Sequence, residues 1–254
     1  MARLCAQEAG RIVMAGFGHE HEVRVKGRGN LVTAADLASE RAIQEILAAE
    51  YPDHSILSEE TSAAARSDGW LWVVDPLDGT HNYARGVPIF CINIALCYGG
   101  EPLLALTYEP VRREEFRALK GVGAFVKGER MRASARETLR ESVVGVDLGY
   151  DDRRAARLLS LVHELWPGMQ SVRIMGSAAL GLAYAACGRF DLFVHHMLYP
   201  WDVAAGILLV REAGGAISDR DGGPVSIRSE GVVAGAPGAH ADFLRLAAGR
   251  RWRE

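Results

Sequence analysis

Apolar positions keep helical spacing at both ends of the chain and strand-like spacing between them. Over Ala2–Gly16, residues Leu4, Ala9, Ile12, Val13 and Ala15 alternate with charges, which predicts a helix. Gly27–Asn30 breaks the pattern, and Leu31–Thr33 reads as a short extended piece. Asp36 then precedes a second helix, carrying Leu37, Ile43, Ile46 and Leu47 until Tyr51-Pro52 stops it. Apolar runs predict strands at Asp53–Leu57 and Gly69–Val74, two buried strands at Ile89–Tyr98 and Pro102–Tyr108 around the turn Gly99-Gly100, and strands at Glu115–Leu119 and Ala124–Val126 that continue an antiparallel meander with glycine turns. From Val143 strands and helices alternate. The strands are Val143–Val146, Ser171–Met175, Asp191–Val194, Ala216–Ser218 and Val232–Ala234. The helices are Arg153–Trp166, Ser177–Cys187, Trp201–Ala213 and Ala239–Ala248. The reading is an α/β (α+β) chain forming one domain over 1–254. Residues 1–138 make helices plus an antiparallel sheet and 139–254 an α/β layer, with a seam near Arg136–Glu141.

Composition narrows the function classes. The chain has 254 residues, 49% hydrophobic and 24% charged, which excludes disorder. Its net charge of −3 gives no basic field to gather nucleic acid. Pro88–Cys97 and Ala178–Cys187 are the longest nearly apolar stretches, about half the ~20 residues a membrane span needs. Glu8 and Arg11 interrupt the segment where a secretory signal would be apolar, so export is not expected. Cys5, Cys91, Cys97 and Cys187 are scattered without a Cys-x-x-Cys, which fits a reduced cytoplasmic compartment. The last three read as core thiols. Val111–Arg140 carries nine Lys/Arg against four Asp/Glu. That excess reads as the outer face of a hairpin; a nucleic-acid patch is the alternative.

The chemistry concentrates in Trp70–Thr80. An apolar strand delivers Asp75 and Asp78 at its end, Pro76 stops it, Gly79 permits a tight turn, and Thr80 can cap the helix that follows. Two acids three apart on a rigid turn can share a hard divalent cation, with amides of Gly79 and Thr80 meeting an anion beside it. They can equally be helix caps. Two further acidic positions bear on the choice. Ser58-Glu59-Glu60 follows an apolar strand, and Asp202 opens the most apolar helix, where an acid is ordinarily a cap.

Taken in order, these segments resemble the inositol monophosphatase family of magnesium-dependent, lithium-sensitive sugar phosphatases. The matching stretches are Leu31–Asp36, Ser58-Glu59-Glu60, Trp72–Thr80, Gly176–Ala179, Pro200-Trp201-Asp202 and Glu212–Gly215. The resemblance implies a layered αβαβα sandwich, a homodimer and a small phosphate ester as substrate. It implies that Glu59, Asp75 and the Leu77 carbonyl hold one Mg2+, and Asp75, Asp78 and Asp202 a second. A third, weaker ion would sit near Glu59. Asp36 and Thr80 match the pair that orients or deprotonates the attacking water beside Glu59. Asp78, Gly79, Thr80, Ser177, Ala178 and His195 fall where substrate is met, and Lys26 where the family often has a mobile lysine.

His195 stands where inositol monophosphatases commonly place a glutamate, and Tyr199-Pro200 also departs from the usual forms. The metal chemistry is untouched by these departures, whereas inositol preference is not carried over. The plainer alternative for His195-His196 is a strand end with one ring packed and one exposed. His81 reads as solvated, and Arg85 as a salt-bridge partner ahead of a second-phosphate contact. The expected activity is a magnesium-dependent phosphomonoesterase acting on a small polyol or sugar phosphate. A fructose-1,6-bisphosphatase, a histidinol-phosphate phosphatase and a regulatory binding role are the alternatives.

Overall fold

The elements follow the chain as α1 (Ala2–Gly16), β1 (Arg24–Gly27), β2 (Asn30–Val32), α2 (Ala34–Glu50), β3 (Ser55–Ser58), β4 (Trp70–Asp78) and α3 (Thr80–Ala84). Then come β5 (Cys91–Tyr98), β6 (Glu101–Glu109), β7 (Glu114–Leu119), β8 (Gly123–Val126), β9 (Glu129–Arg130) and β10 (Val143–Asp147). The rest is α4 (Asp152–Leu165), β11 (Ser171–Ile174), α5 (Ala178–Ala186), β12 (Leu192–His195), α6 (Pro200–Glu212), β13 (Ala216–Asp219), β14 (Val232–Gly235) and α7 (Pro237–Leu246). This computed structural model describes residues 1–19, 24–27, 30–60 and 69–253.

Strands β3 to β9 pair in chain order into one sheet. A second sheet has the order β11-β10-β12-β14-β13, and β1 and β2 form a separate hairpin. Period-two alternation builds the layers. In β4, Trp72 and Val74 pack with Ala6, Ala9, Ile43 and Leu47 of α1 and α2. Leu71 and Val73 point the other way, into a core shared with α5 and α6. Those two helices are apolar on every face because both sheets cover them, as Leu180–Ala183 and Val203–Val210 show. Leu209 is fully buried here, and its truncation to Ala costs about 2–5 kcal/mol. Leu158, Leu161 and Leu165 of α4 and Phe243 of α7 cover the far face of the second sheet over Val144, Val146, Leu192 and Val194. The order is helix, sheet, helix, sheet, helix, as expected.

Several local expectations are corrected. The first sheet is mixed, because β3 runs parallel to β4. Pro76 does not stop β4; the strand continues to Asp78 through a register shift between Asp75 and Asp78. A bulge leaves a residue without a ladder partner, so proline's missing N–H costs nothing there. Asp36 lies inside α2, at its third position, and accepts from the Thr33 N–H at 2.9 Å. Thr80 is the first residue of α3 and caps nothing; Gly79 precedes it at φ 95°. That left-handed backbone suits glycine, and a Cβ there would lie 2.9 Å from the Ile89 carbonyl. His195 and His196 are both buried, so neither ring is the exposed one. Glu59 and Glu60 are half-buried, not solvated. Arg85 is exposed and makes no ion pair among the described residues. Lys26 belongs to β1, and its side chain lies outside the described residues. Cys91 and Cys97 are core thiols, whereas Cys187 is half-buried. Among the described residues no helix is long and apolar enough to cross a membrane.

Candidate active site

The ends of β4, β10, β11 and β12 and the starts of α3, α5 and α6 surround one cavity of about 540 Å³. Asp78, Gly79, Thr80, Ser177, Ala178, His195 and Asp202 all line it. Asp75, Asp78 and Asp202 bring carboxylate oxygens within 4.8 Å of one another. Asp75 is 2% exposed and Asp78 8%. Burial, then repulsion from Glu59, Asp78 and Asp202, pushes the Asp75 carboxyl well above the usual range. Asp202 is pushed up in the same way, by burial and then by Asp78. The strain is electrostatic: buried acids face one another, and a proton or a cation relieves it.

Local chemistry aims each acid. The Leu77 N–H donates to Asp75 Oδ1 at 3.0 Å, which turns the bulge around the carboxylate. Asp78 is raised mainly by burial, yet Ser177 Oγ and the amides of Ala178 (3.2 Å) and Ala179 (3.0 Å) hold it from the start of α5. Cys91 Sγ stands 3.5 Å from the same carboxylate. Tyr199 N–H donates to Asp202 Oδ2 at 2.7 Å, so Asp202 is both cap and cluster member. Thr80 Oγ1 is shared between Asp36 Oδ1 (2.9 Å) and the Leu77 carbonyl (3.0 Å). The structure therefore brings Asp36, Asp75, Leu77, Asp78, Thr80 and Asp202 together, with Glu59 near enough to raise Asp75 and Asp202.

Four residues at this site escaped the sequence reading. Asp147 accepts amide hydrogens from Gly176 (2.7 Å), Met175 (3.1 Å) and Ser177 (3.4 Å), and burial first of all pushes its carboxyl up to about 7. Asn82 Nδ2 donates to the carbonyls of Met175 (2.7 Å) and Ile89 (2.8 Å), which ties α3 to the same loop. Asn93 Nδ2 donates to the Trp201 carbonyl at 2.7 Å and anchors the start of α6 beneath Asp202. Tyr150 lines the cavity, its phenol pushed far up by burial and then by Glu59 and Asp202. His195 departs from its expected form: Nδ1 accepts from Met197 N–H at 3.1 Å, and burial pushes the ring down to about 3. It is neutral, and only Nε2–H is left to meet a ligand. His81 is exposed, as expected, but it also lines the cavity.

Comparison with known proteins agrees with this arrangement. A model described as the inositol monophosphatase family matches residues 1–251. Inositol monophosphatase 1 of Solanum lycopersicum is 37% identical over 247 residues, 94% of this chain and 90% of that protein. Nus factor SuhB of Pasteurella multocida is 36% identical over 236 residues, 91% and 88% of the two chains. The crystal structure of SuhB from Bartonella henselae superposes with a TM-score of 0.92 at 33% identity, covering 98% of this chain and 97% of that one. A structure of an IMPase/NADP phosphatase complexed with Mg2+ and phosphate superposes with a TM-score of 0.84 at 25% identity, over 96% and 92%. The sequence segments, the layered fold and the matched length together place the chain in the inositol monophosphatase family.

Proposed function

We propose that this chain is a magnesium-dependent phosphomonoesterase acting on a small polyol or sugar phosphate. The observation that carries the reading is the buried acid set Asp75, Asp78 and Asp202, held within 4.8 Å beside a cavity. All its donors are hard oxygens, which fits Mg2+ and not a soft ion. Acids raised by mutual repulsion are also what a divalent cation would relieve. Glu59, Asp75 and the Leu77 carbonyl would hold one ion; Asp75, Asp78 and Asp202 would hold a second. The weaker third ion, the lithium sensitivity, the homodimer and the cytoplasmic location are carried by family resemblance. When bound, Mg2+ supplies charge neutralisation at the phosphate and favours attack by water.

The chain's own residues do the rest. Gly79 and Thr80, at the start of α3, line the cavity, and their amides would orient the phosphate. Thr80 Oγ1 donates to Asp36 Oδ1, so it accepts a hydrogen from water and passes its own proton to that carboxylate. Burial raises the Asp36 carboxyl, which makes it a better proton acceptor. Ser177, Ala178 and Ala179 fix Asp78, and His195 meets the alcohol part of the ester.

A second reading, a regulatory binding role, is favoured by the relatives named Nus factor SuhB. Four of the nine basic residues in the stretch, Arg112, Arg117, Lys120 and Lys127, are already paired with Glu109, Glu115, Glu101 and Glu114, which weakens its support for this role. The deciding experiment is a phosphate-release screen with and without Mg2+. Its substrates are an inositol monophosphate, fructose 1,6-bisphosphate, histidinol phosphate and an aryl phosphate. Mg2+-dependent release from at least one ester is expected. No release from any would leave the binding role.

A further inference from the structure

Most of the β4–β6 face that meets α5 and α6 is apolar: Leu71, Val73, Ala95, Cys97 and Ala105 all belong to one core. One row breaks it. Asp75 of β4 stands in register with Asn93 of β5, and Asn93 with Thr107 of β6, so three polar side chains lie side by side across neighbouring strands on that face. Asn93 is 1% exposed and Thr107 is fully buried. Valine would fill the place of Thr107 without taking a hydroxyl out of water, so the buried hydroxyl needs another explanation.

The hydrogen bonds provide one. Asn93 Nδ2 donates to the Trp201 carbonyl at 2.7 Å, with a longer contact to the Asp202 carbonyl at 3.4 Å. Thr107 Oγ1 donates to Asn93 Oδ1 at 2.7 Å. A carbonyl can only accept, so the amino edge of Asn93 must face α6, and its oxygen is left for the Thr107 hydroxyl. The threonine thus holds the amide in the one orientation that grips the helix. Trp201 and Asp202 are the second and third residues of α6. Asp202 is therefore fixed twice, its carboxylate by the Tyr199 amide and the peptide before it by Asn93. The acids of the cluster come from two elements, Asp75 and Asp78 from β4 and Asp202 from α6, and Asn93 ties α6 to the strand beside β4.

We propose that Thr107 and Asn93 are positioning residues that set the gap between Asp75 and Asp202, and with it the affinity for a cation these two acids share. The inference rests on the magnesium-site reading above and deepens it. Asn93 acts through the α6 backbone and Thr107 through Asn93, so neither is a ligand or a catalytic group. An ion held by Asp75, Asp78 and Asp202 depends on that gap, because Mg2+ demands near-ideal octahedral geometry. An ion held by Glu59, Asp75 and the Leu77 carbonyl uses no residue of α6.

The test takes the full chain, strips it with chelator and titrates it with Mg2+ while the midpoint of thermal unfolding is followed, so no turnover enters the readout. Thr107→Val removes the hydroxyl at nearly constant volume and lets the Asn93 amide turn. It should raise the Mg2+ concentration for half-maximal stabilisation by about tenfold, as loss of an outer support to a metal ligand ordinarily does. Thr107→Ser keeps the hydroxyl and should stay within about threefold of wild type. Asn93→Ala removes the grip itself. It should shift the concentration at least as far as Thr107→Val, and it takes that variant's place if the valine chain does not fold. A pair that only packs the layer would lower the midpoint in chelator and leave the Mg2+ dependence unchanged; that result in Thr107→Val or Asn93→Ala overturns the proposal. A shift in Thr107→Ser equal to that in Thr107→Val also overturns it. A wild-type midpoint that Mg2+ does not raise removes the magnesium site and this inference with it.

Discussion

The two sides of the cavity are built from the same kind of strand end, yet they carry opposite designs. On the first sheet, β4 ends in a bulge that buries Asp75 and Asp78 against Asp202, so that like charges crowd one another. On the second, β10 and β12 end in a single buried acid and a neutral imidazole, each already tied to backbone amides. Crowded acids store repulsion that only a cation or protons can relieve, and this suits a metal centre. Groups satisfied in part by the backbone keep one hydrogen-bonding edge each, and this suits recognition. On the proposed reading, the cavity separates reaction from choice, with the acid set at the end of β4 and the start of α6 and the recognition edges at the ends of β10 and β12.

The sharpest break in the comparison is to remove a charge from the crowded side. Asp75→Asn should lower phosphate release by about a thousandfold or more, because Asp75 would serve both proposed ions. Steady-state kinetics at saturating Mg2+ reads this directly, and a loss below tenfold would move the chemistry elsewhere. Thr80→Ala should cost roughly a hundredfold in kcat with little change in KM, since its hydroxyl acts on proton movement and not on binding. Thr80→Ser should restore most of the rate. A loss confined to KM would make Thr80 a phosphate contact.

A smaller effect concerns stability. Asp75, Asp202 and Asp147 have carboxyls raised on folding, Asp147 to about 7 from 3.8. At these three groups the folded chain binds more protons than the unfolded one. Their contribution to stability is fullest below the unfolded carboxyl range and is lost as pH rises through about 4 to 7, whereas the buried neutral His195 ring acts in the opposite sense below its unfolded value of 6.5. In chelator the midpoint of thermal unfolding should therefore drop by about 5 °C or more between pH 6.5 and pH 8, above the range in which the unfolded histidine charges. Added Mg2+ should raise it more at pH 8, where the ligands are ionised. A midpoint that rises between pH 6.5 and pH 8 in chelator would contradict the crowding argument.

The contrast also explains what could be read from the chain. Asp75, Leu77, Asp78 and Thr80 were legible because they sit within six residues, so the local turn declares them. The layers were legible because Leu71 to Val74 alternate between two cores. Pro76 misled, since a bulge removes the penalty that proline ordinarily carries in a strand. Asp147, Asn82 and Asn93 were illegible for another reason: the Met175 and Trp201 backbone groups that hold them at the site lie 28 to 108 positions away and meet them only in the fold. Asp147 did carry one signal, an acid directly after the apolar run Val143–Val146, the same sign that drew attention to Glu59. His195 was named through the resemblance, at the place where the family commonly has a glutamate, but its single free nitrogen depends on the Met197 amide and could not be read.

The division between the two sides is tested most directly by calorimetric titration of Mg2+ into chelator-stripped protein, comparing wild type, Asp75→Asn and His195→Gln. The account predicts that Asp75→Asn loses the binding heat, while His195→Gln binds Mg2+ within about threefold of wild type, as expected where the two ends share no partner. Undiminished binding by Asp75→Asn, or equal loss in both variants, would contradict it.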